Sequence, residues 1–311
     1  MNKLNQSSTD PLSLMSALIA VGLCTMFGSN AIAVKMSFSG LGVYFASVVR
    51  FSIAFCCLVI WAKFTNQNLA VKRKYWPSLF IISFSFSIQL LLFYTGLSRS
   101  PASRSSIIIN LQPFFVLIIA HFFIKDDRIS LKKILGISLG FLGNVMIFFD
   151  RSSVQERIQS GDFLVLLGAF LWGCNAVYTK KVIHRFKAIQ VALYPMAAAI
   201  PISAIGSYYF DEQMIYSLNS TIVLSIAYQS VFVATFGYVA WNSLLKRYGA
   251  VSLHSFIFIM PVTGVALGGL LLDEPISSQL ITGLSLIVIG LLVIHIKRKM
   301  DPPVSPMGRN T

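Results

Sequence analysis

Apolar residues run along this chain in long blocks, and short charged clusters separate one block from the next. A helix needs about 20 largely apolar residues to cross a hydrocarbon layer roughly 30 Å thick. Ten such runs are predicted, at 14–35, 42–62, 76–96, 104–124, 131–149, 162–180, 188–209, 221–244, 251–272 and 278–296. The connections between them are too short for a soluble domain. The first run follows a single Lys and a polar tail and is too long for a signal-peptide core, so it is expected to stay as a span.

Composition strengthens this picture. The 311 residues are 56% hydrophobic and 12% charged, and Phe alone occurs 25 times. Soluble domains carry about 25% charged residues, and Phe is among the cheapest side chains to place in a bilayer. An all-α integral membrane protein is expected. Lys and Arg are distributed unevenly over its edges. With the N-terminus placed inside, nineteen of the 25 fall on the side shared by both termini and five on the other, with Arg50 left within a span. By the positive-inside rule both termini are expected in the cytoplasm, and a multi-pass protein of the inner (plasma) membrane is expected. The net charge of +14 is therefore spent on topology and anionic headgroups, and nucleic acid is not an expected partner. The four cysteines, Cys24, Cys56, Cys57 and Cys174, lie inside predicted spans without metal-ligand spacing, and read as packing residues.

One phrase occurs twice. "MFGSNAIAVK" at 26–35 returns as "LWGCNAVYTK" at 171–180. The match extends further: "FYTGL" (93–97) faces "WNSLL" (241–245), Pro113 aligns with Pro261, and Asp126–Asp127 with Asp273–Glu274. Gly136 and Gly143 align with Gly283 and Gly290. The chain thus divides into repeats at 1–150 and 155–300, each with five spans, and a cytoplasmic tail at 301–311. Because five is odd, the second copy enters the membrane from the opposite side. Ten transmembrane helices in two inverted five-helix repeats are expected, the architecture that lets a secondary transporter exchange an inward-open for an outward-open cavity.

These residues resemble a known family. "GSNAIAVK" and "GCNAVYTK", "VVRF" in the second span, the prolines of the fourth span in each half, and "LLLDEPIS" before a glycine-punctuated last helix look like the EamA-type branch of the drug/metabolite transporter superfamily. The resemblance covers essentially the whole chain. It implies a transporter fold and a small-molecule solute; members similar at this level export amino acids, other metabolites or drugs, and some take solutes up. The acidic turn after the fourth span departs from the pattern in the first half, where "DDRIS" replaces "DEPIS" and the helix-starting Pro is lost.

Arg50 is the most informative candidate. It lies about 12 Å into its span at 1.5 Å per residue, where an Arg is costly, while all eleven acidic residues fall in loops, tails or span ends. It can brace helices through backbone carbonyls, bind a carboxylate on the solute, or snorkel outward. Proton-driven carriers usually depend on a membrane-embedded Asp, Glu or His. This chain offers none that is central: His121, His254 and His295 fall near span ends and His184 in a loop, where solvated histidines are expected. Coupling by a buried titrating carboxylate is not expected.

Asn30 and Asn175 are paired by the repeat and can either clasp polar solute groups or pin adjacent helices. Lys35 and Lys180 mark the ends of the same spans and read as topology anchors. Gln89, Asn110, Gln112, Gln229 and Asn242 supply further polar lining, interleaved with Phe27, Tyr94, Trp172, Tyr178, Tyr228, Tyr238 and Trp241. Such mixed walls suit amphipathic solutes. Pro113 and Pro261 are predicted kinks framing a cavity. No cofactor or metal is expected. The pattern points to an alternating-access exporter of a small metabolite such as an amino acid. An uptake permease or multidrug carrier of the same fold is the nearest alternative. A membrane scaffold lacks a long soluble segment here, and an enzyme lacks a reactive constellation. The sequence leaves the assembly state open.

Overall fold

The computed structural model describes residues 13–100, 108–124, 129–148, 160–260, 262–263 and 278–295. Within them the first half contributes α1 (Leu14–Phe38), α2 (Val43–Phe64), α3 (Trp76–Ser98), α4 (Gln112–Phe123) and α5 (Leu131–Phe148). The second contributes α6 (Ser160–Val182), α7 (Ala188–Phe210), α8 (Ser220–Arg247), α9 (Ala250–His254, continued as a 3₁₀ turn over Ser255–Phe258) and α10 (Ser278–His295). Six of these helices are long and apolar enough to cross a membrane. Local chemistry starts several of them. Ser13 accepts from the Ser16 amide ahead of α1, and Asn219 accepts from Ile222 N at 2.9 Å ahead of α8. Pro residues, whose missing N–H costs nothing there, open α3 and α4.

The outer faces carry apolar side chains that a soluble protein would bury, among them Phe80, Phe122, Tyr208 and Leu224. In lipid, burial of apolar surface no longer drives helices together, and close backbone approach takes over. The packing pattern shows how the halves are related. α3 packs on α6 as α8 packs on α1; α4 packs on α6 as α9, through its 3₁₀ turn, packs on α1; α3 packs on α7 as α8 packs on α2. Three further pairs, α2 with α7, α4 with α9 and α5 with α10, join equivalent helices. An inverted pair of repeats about a twofold axis requires this exchange.

Glycines make the same point at atomic scale. A Cβ on Gly136 would strike the carbonyl of Gly290 at 2.6 Å, and one on Gly143 would strike the carbonyl of Gly283. Since Gly136 and Gly143 are the counterparts of Gly283 and Gly290, each contact is the other with the halves exchanged, the signature of an isologous interface. The repeated phrase obeys the same rule. Gly28 lies against Met260 and Thr263 of the second half, while its counterpart Gly173 lies 2.8 Å, counted from a Cβ, from Phe115 of the first. The phrase recurs because in each half it carries the glycine on which the first helix crosses the opposite half's fourth segment.

Two features were not visible in the hydropathy. α8 contains a π-helical stretch, Tyr228–Gly237, a rare geometry often found at functional sites. The fourth segment of the first half is interrupted by a turn at Asn110–Leu111, so Pro113 is the second residue of α4 and follows the break. Pro261 lies outside the described residues.

Candidate functional site

Arg50 projects from α2 into the junction of α1, α2, α3 and α8, and is 6% exposed. One terminal nitrogen, Nη2, donates to Tyr94 Oη at 2.6 Å, and Nη1 reaches Gln229 Oε1 at 3.5 Å. The guanidinium carbon stands 4.5 Å from the Phe51 ring centroid and 5.7 Å from that of Tyr94, within cation–π range. Gln229 is held in place by donating through Nε2 to Ala33 O at 3.0 Å, which leaves its oxygen for Arg50. Arg50 Nε is buried without a partner, and no described carboxylate pairs with the guanidinium. The cation is therefore solvated by a phenol, one long amide contact and two ring faces. That is poor compensation for a charge removed from water.

Beside it Val34, Phe38, Ala46, Ser47, Tyr94 and Gln229 line, with Arg50 itself, a crevice too narrow to admit a water molecule. Ligand pockets hold about 300 Å³ or more, so in the conformation seen here the side chains are closed around the arginine. An aromatic wall continues from it. Tyr238 meets Phe86 and Phe27 with ring centroids 5.6 and 6.0 Å apart, and Trp241 meets Phe27 at 5.9 Å. Arg50, Tyr94, Tyr238 and Trp241 thus belong to one neighbourhood, linked by the hydrogen bond from Arg50 to Tyr94 and by ring contacts through Phe51, Phe86 and Phe27.

Other candidates sit apart from it or are occupied. Asn175 is 8% exposed; its Nδ2 donates to Ile82 O of α3 at 3.4 Å, and its Oδ1 accepts from Thr179 at 3.0 Å. Asn30, its counterpart, has a buried Oδ1 with no partner. Gln89 is 1% exposed, and its Oε1 is likewise without a partner. Asn110 and Gln112 are buried at the break before α4. Trp172 is half-buried beside Gly173, and Tyr178 packs against a core cluster that draws residues from both halves, among them Leu23, Ile82, Val116, Val177 and Leu253. His254 corrects an expectation. It is 2% exposed, its Nδ1 lies 2.8 Å from Ala250 O, and its ring meets Trp241, so it is a packed core residue and not a solvated helix-end histidine. Cys56 is exposed on the outer face of α2 and does not pack in the interior. Lys180 caps the end of α8, donating to Leu245 O at 2.9 Å.

The described residues close both ends of this neighbourhood. At the end carrying the α1–α2 turn, Asp211, just past α7, accepts from Tyr44 N at 3.2 Å and Phe45 N at 2.8 Å, the free amides of the first turn of α2. Gly42 provides no side-chain cap of its own. The adjoining segments pair as well: Gly42 N donates to Met214 O, Tyr216 N to Gly40 O, and Leu41 bridges Ile215. At the opposite end, Gln190 Nε2 donates to Ala70 O at 3.0 Å and Tyr194 Oη to Leu69 O at 3.1 Å, while Tyr75 packs on Phe186. The two closures fall at positions that the pseudo-twofold exchanges. Sequence reasoning passed over Asp211, Gln190 and Tyr194. The available signal was a lone acid at a span end and polar residues in the facing first turn.

Comparison with known proteins identifies the family and agrees with the two-repeat fold. The family model described as "EamA-like transporter family" matches residues 14–149 and 159–296, one match per half. A "Probable amino-acid metabolite efflux pump" of Escherichia coli (strain K12) is 26% identical over 290 residues, covering 91% of this chain and 95% of that protein. An "Uncharacterized transporter" of Archaeoglobus fulgidus is 27% identical over 280 residues, covering 88% and 96%. A solved crystal structure superposes with a TM-score of 0.77 at 18% identity, covering 89% of this chain and 96% of that one, which shows a shared fold. The chain belongs to the EamA-like transporter family and is a multi-pass membrane transporter, not an enzyme.

Proposed function

We propose that the protein is an alternating-access exporter of a small amphipathic metabolite, an amino acid or a close relative, in the inner (plasma) membrane. Each repeat, 1–150 and 155–300, supplies one wall and one gate. Both termini are cytoplasmic, so the Asp211 closure faces outward and the Gln190–Tyr194 closure faces inward. The observation that carries this reading is Arg50: a buried cation with no carboxylate beside it, at the meeting of helices from both halves. A solute carboxylate supplies the missing anion, and a bidentate guanidinium–carboxylate pair orients it. The aromatic wall accommodates the solute's apolar part. The E. coli and Salmonella relatives named as amino-acid metabolite efflux pumps point the same way. The described acidic residues lie at helix ends or in connecting segments, as Asp162 and Asp211 do, which favours exchange or downhill efflux over coupling by a buried carboxylate.

Counterflow in proteoliposomes tests this directly. Purified protein is loaded with an unlabelled amino acid inside and offered the labelled one outside, alongside nucleosides, polyamines and cationic drugs. Exchange of amino acids by the native protein is expected, with loss of at least tenfold in Arg50→Ala and in Arg50→Lys, which keeps the charge but not the fork. Undiminished exchange in folded, inserted Arg50→Ala would falsify the anchoring role.

A further inference from the structure

The repeat writes Asn30 and Asn175 at matched positions, yet their surroundings differ in one respect that the sequence spells out. Thr179, one helical turn after Asn175, donates its hydroxyl to Asn175 Oδ1 at 3.0 Å. The matching position one turn after Asn30 is Val34, which has no hydroxyl to give. Asn30 Oδ1 is accordingly buried with no donor.

The opposite helices differ in the same sense. Asn175 Nδ2 spends itself on Ile82 O of α3. At the spacing that carries Phe93 onto Trp241, the counterpart of Ile82 is Ser230 on α8. That carbonyl is already taken by Thr235 Oγ1 at 2.8 Å, a bond across the π-helical stretch. So both partners that lock Asn175 are withheld from Asn30, one by a substitution on α1 and one by the π-helix of α8.

The location of the unsatisfied acceptor matters. Val34 lines the space beside Arg50, and Phe27, three residues before Asn30, packs on Tyr238 and Trp241. Residues 27, 30 and 34 share one face of α1 at helical spacing. A buried amide oxygen is retained without a partner at a cost, and such a group needs an explanation. We infer that Asn30 is a specificity-determining residue whose side-chain oxygen accepts a hydrogen bond from the solute's donor group, an ammonium in a zwitterion, whereas Asn175 is purely structural. This rests on the reading of the Arg50 neighbourhood as the solute site. Arg50 and Asn30 then divide the solute between them, one taking the anion and the other the donor.

The test is to give Asn30 the partner that Asn175 has. Val34→Thr places a hydroxyl one turn after Asn30 in the geometry of Thr179, where it competes for the same oxygen. The assay is counterflow of labelled L-phenylalanine, L-leucine and L-serine, with inhibition by 3-phenylpropionate as the probe that keeps the carboxylate but lacks the amine. In Val34→Thr the apparent affinity for the amino acids falls about tenfold, inhibition by 3-phenylpropionate is unchanged, and the maximal rate is retained. Thr179→Val lowers thermal stability and leaves both affinities as they were. If Val34→Thr weakens both probes equally, or neither, the assignment of Asn30 is overturned. If Arg50→Ala also exchanges normally, the solute site itself has been misplaced, a separate failure.

Discussion

Removal of the Asp211 carboxylate isolates one closure from the rest of the protein. In Asp211→Ala, two hydrogen bonds disappear, at 3.2 Å to Tyr44 N and 2.8 Å to Phe45 N. Bonds to a charged acceptor contribute about 1.5–3 kcal/mol each when buried, and loss of a helix N-cap costs about 0.5–2 kcal/mol. Asp211 is half-buried at the edge of the structure, and the two amides regain water once it is gone, so the lower part of these ranges applies. About 1–2 kcal/mol is expected, a factor of about 5–30 in an equilibrium. The residue joins the end of α7 to the start of α2, so its bonds exist only while that end is shut. The whole difference therefore appears in the ratio of closed to open forms. A single cysteine at position 34, beside Arg50, reports it in a background where the four native cysteines are replaced. Membrane-impermeant maleimide applied from outside should label this site about 5–30 times faster in Asp211→Ala, with no change from inside. Asp211→Asn, which keeps an acceptor oxygen, should fall between. Equal acceleration from both faces would mean general loosening and would refute the latch; no acceleration from either face would refute it also. Acceleration from inside alone would leave the latch standing and reverse the orientation.

Two further outcomes follow from the same contacts. At the opposite closure, Gln190→Ala combined with Tyr194→Phe removes the donors to Asn68 O, Ala70 O and Leu69 O, and the position-34 cysteine should then label faster from the cytoplasmic side only. In the helix crossings, Gly173→Val sets a side chain 2.8 Å from Phe115 Cβ; overpacking of this kind costs about 1–3 kcal/mol, and a lower melting temperature by size-exclusion thermal stability checks it.

The sequence alone determined the solvent and the symmetry. Length and apolarity of a run are local properties, and the bilayer thickness converts them into helices without reference to any neighbour. The odd number of spans per repeat likewise dictated inversion by counting. Arg50 was legible for a similar reason: a charge in an apolar run is an anomaly within its own segment. Only the tertiary structure decided which polar groups are used up. Asn30 and Asn175 stand in the same repeated phrase; the sequence shows the exchange of Thr179 for Val34 one turn on, but not what stands across from each amide. The π-helical stretch, the burial of His254 and the span from Asp211 to the start of α2 are equally invisible to a one-dimensional reading. Hydrogen-bond satisfaction is a property of pairs, and the pairs are drawn from helices more than a hundred residues apart.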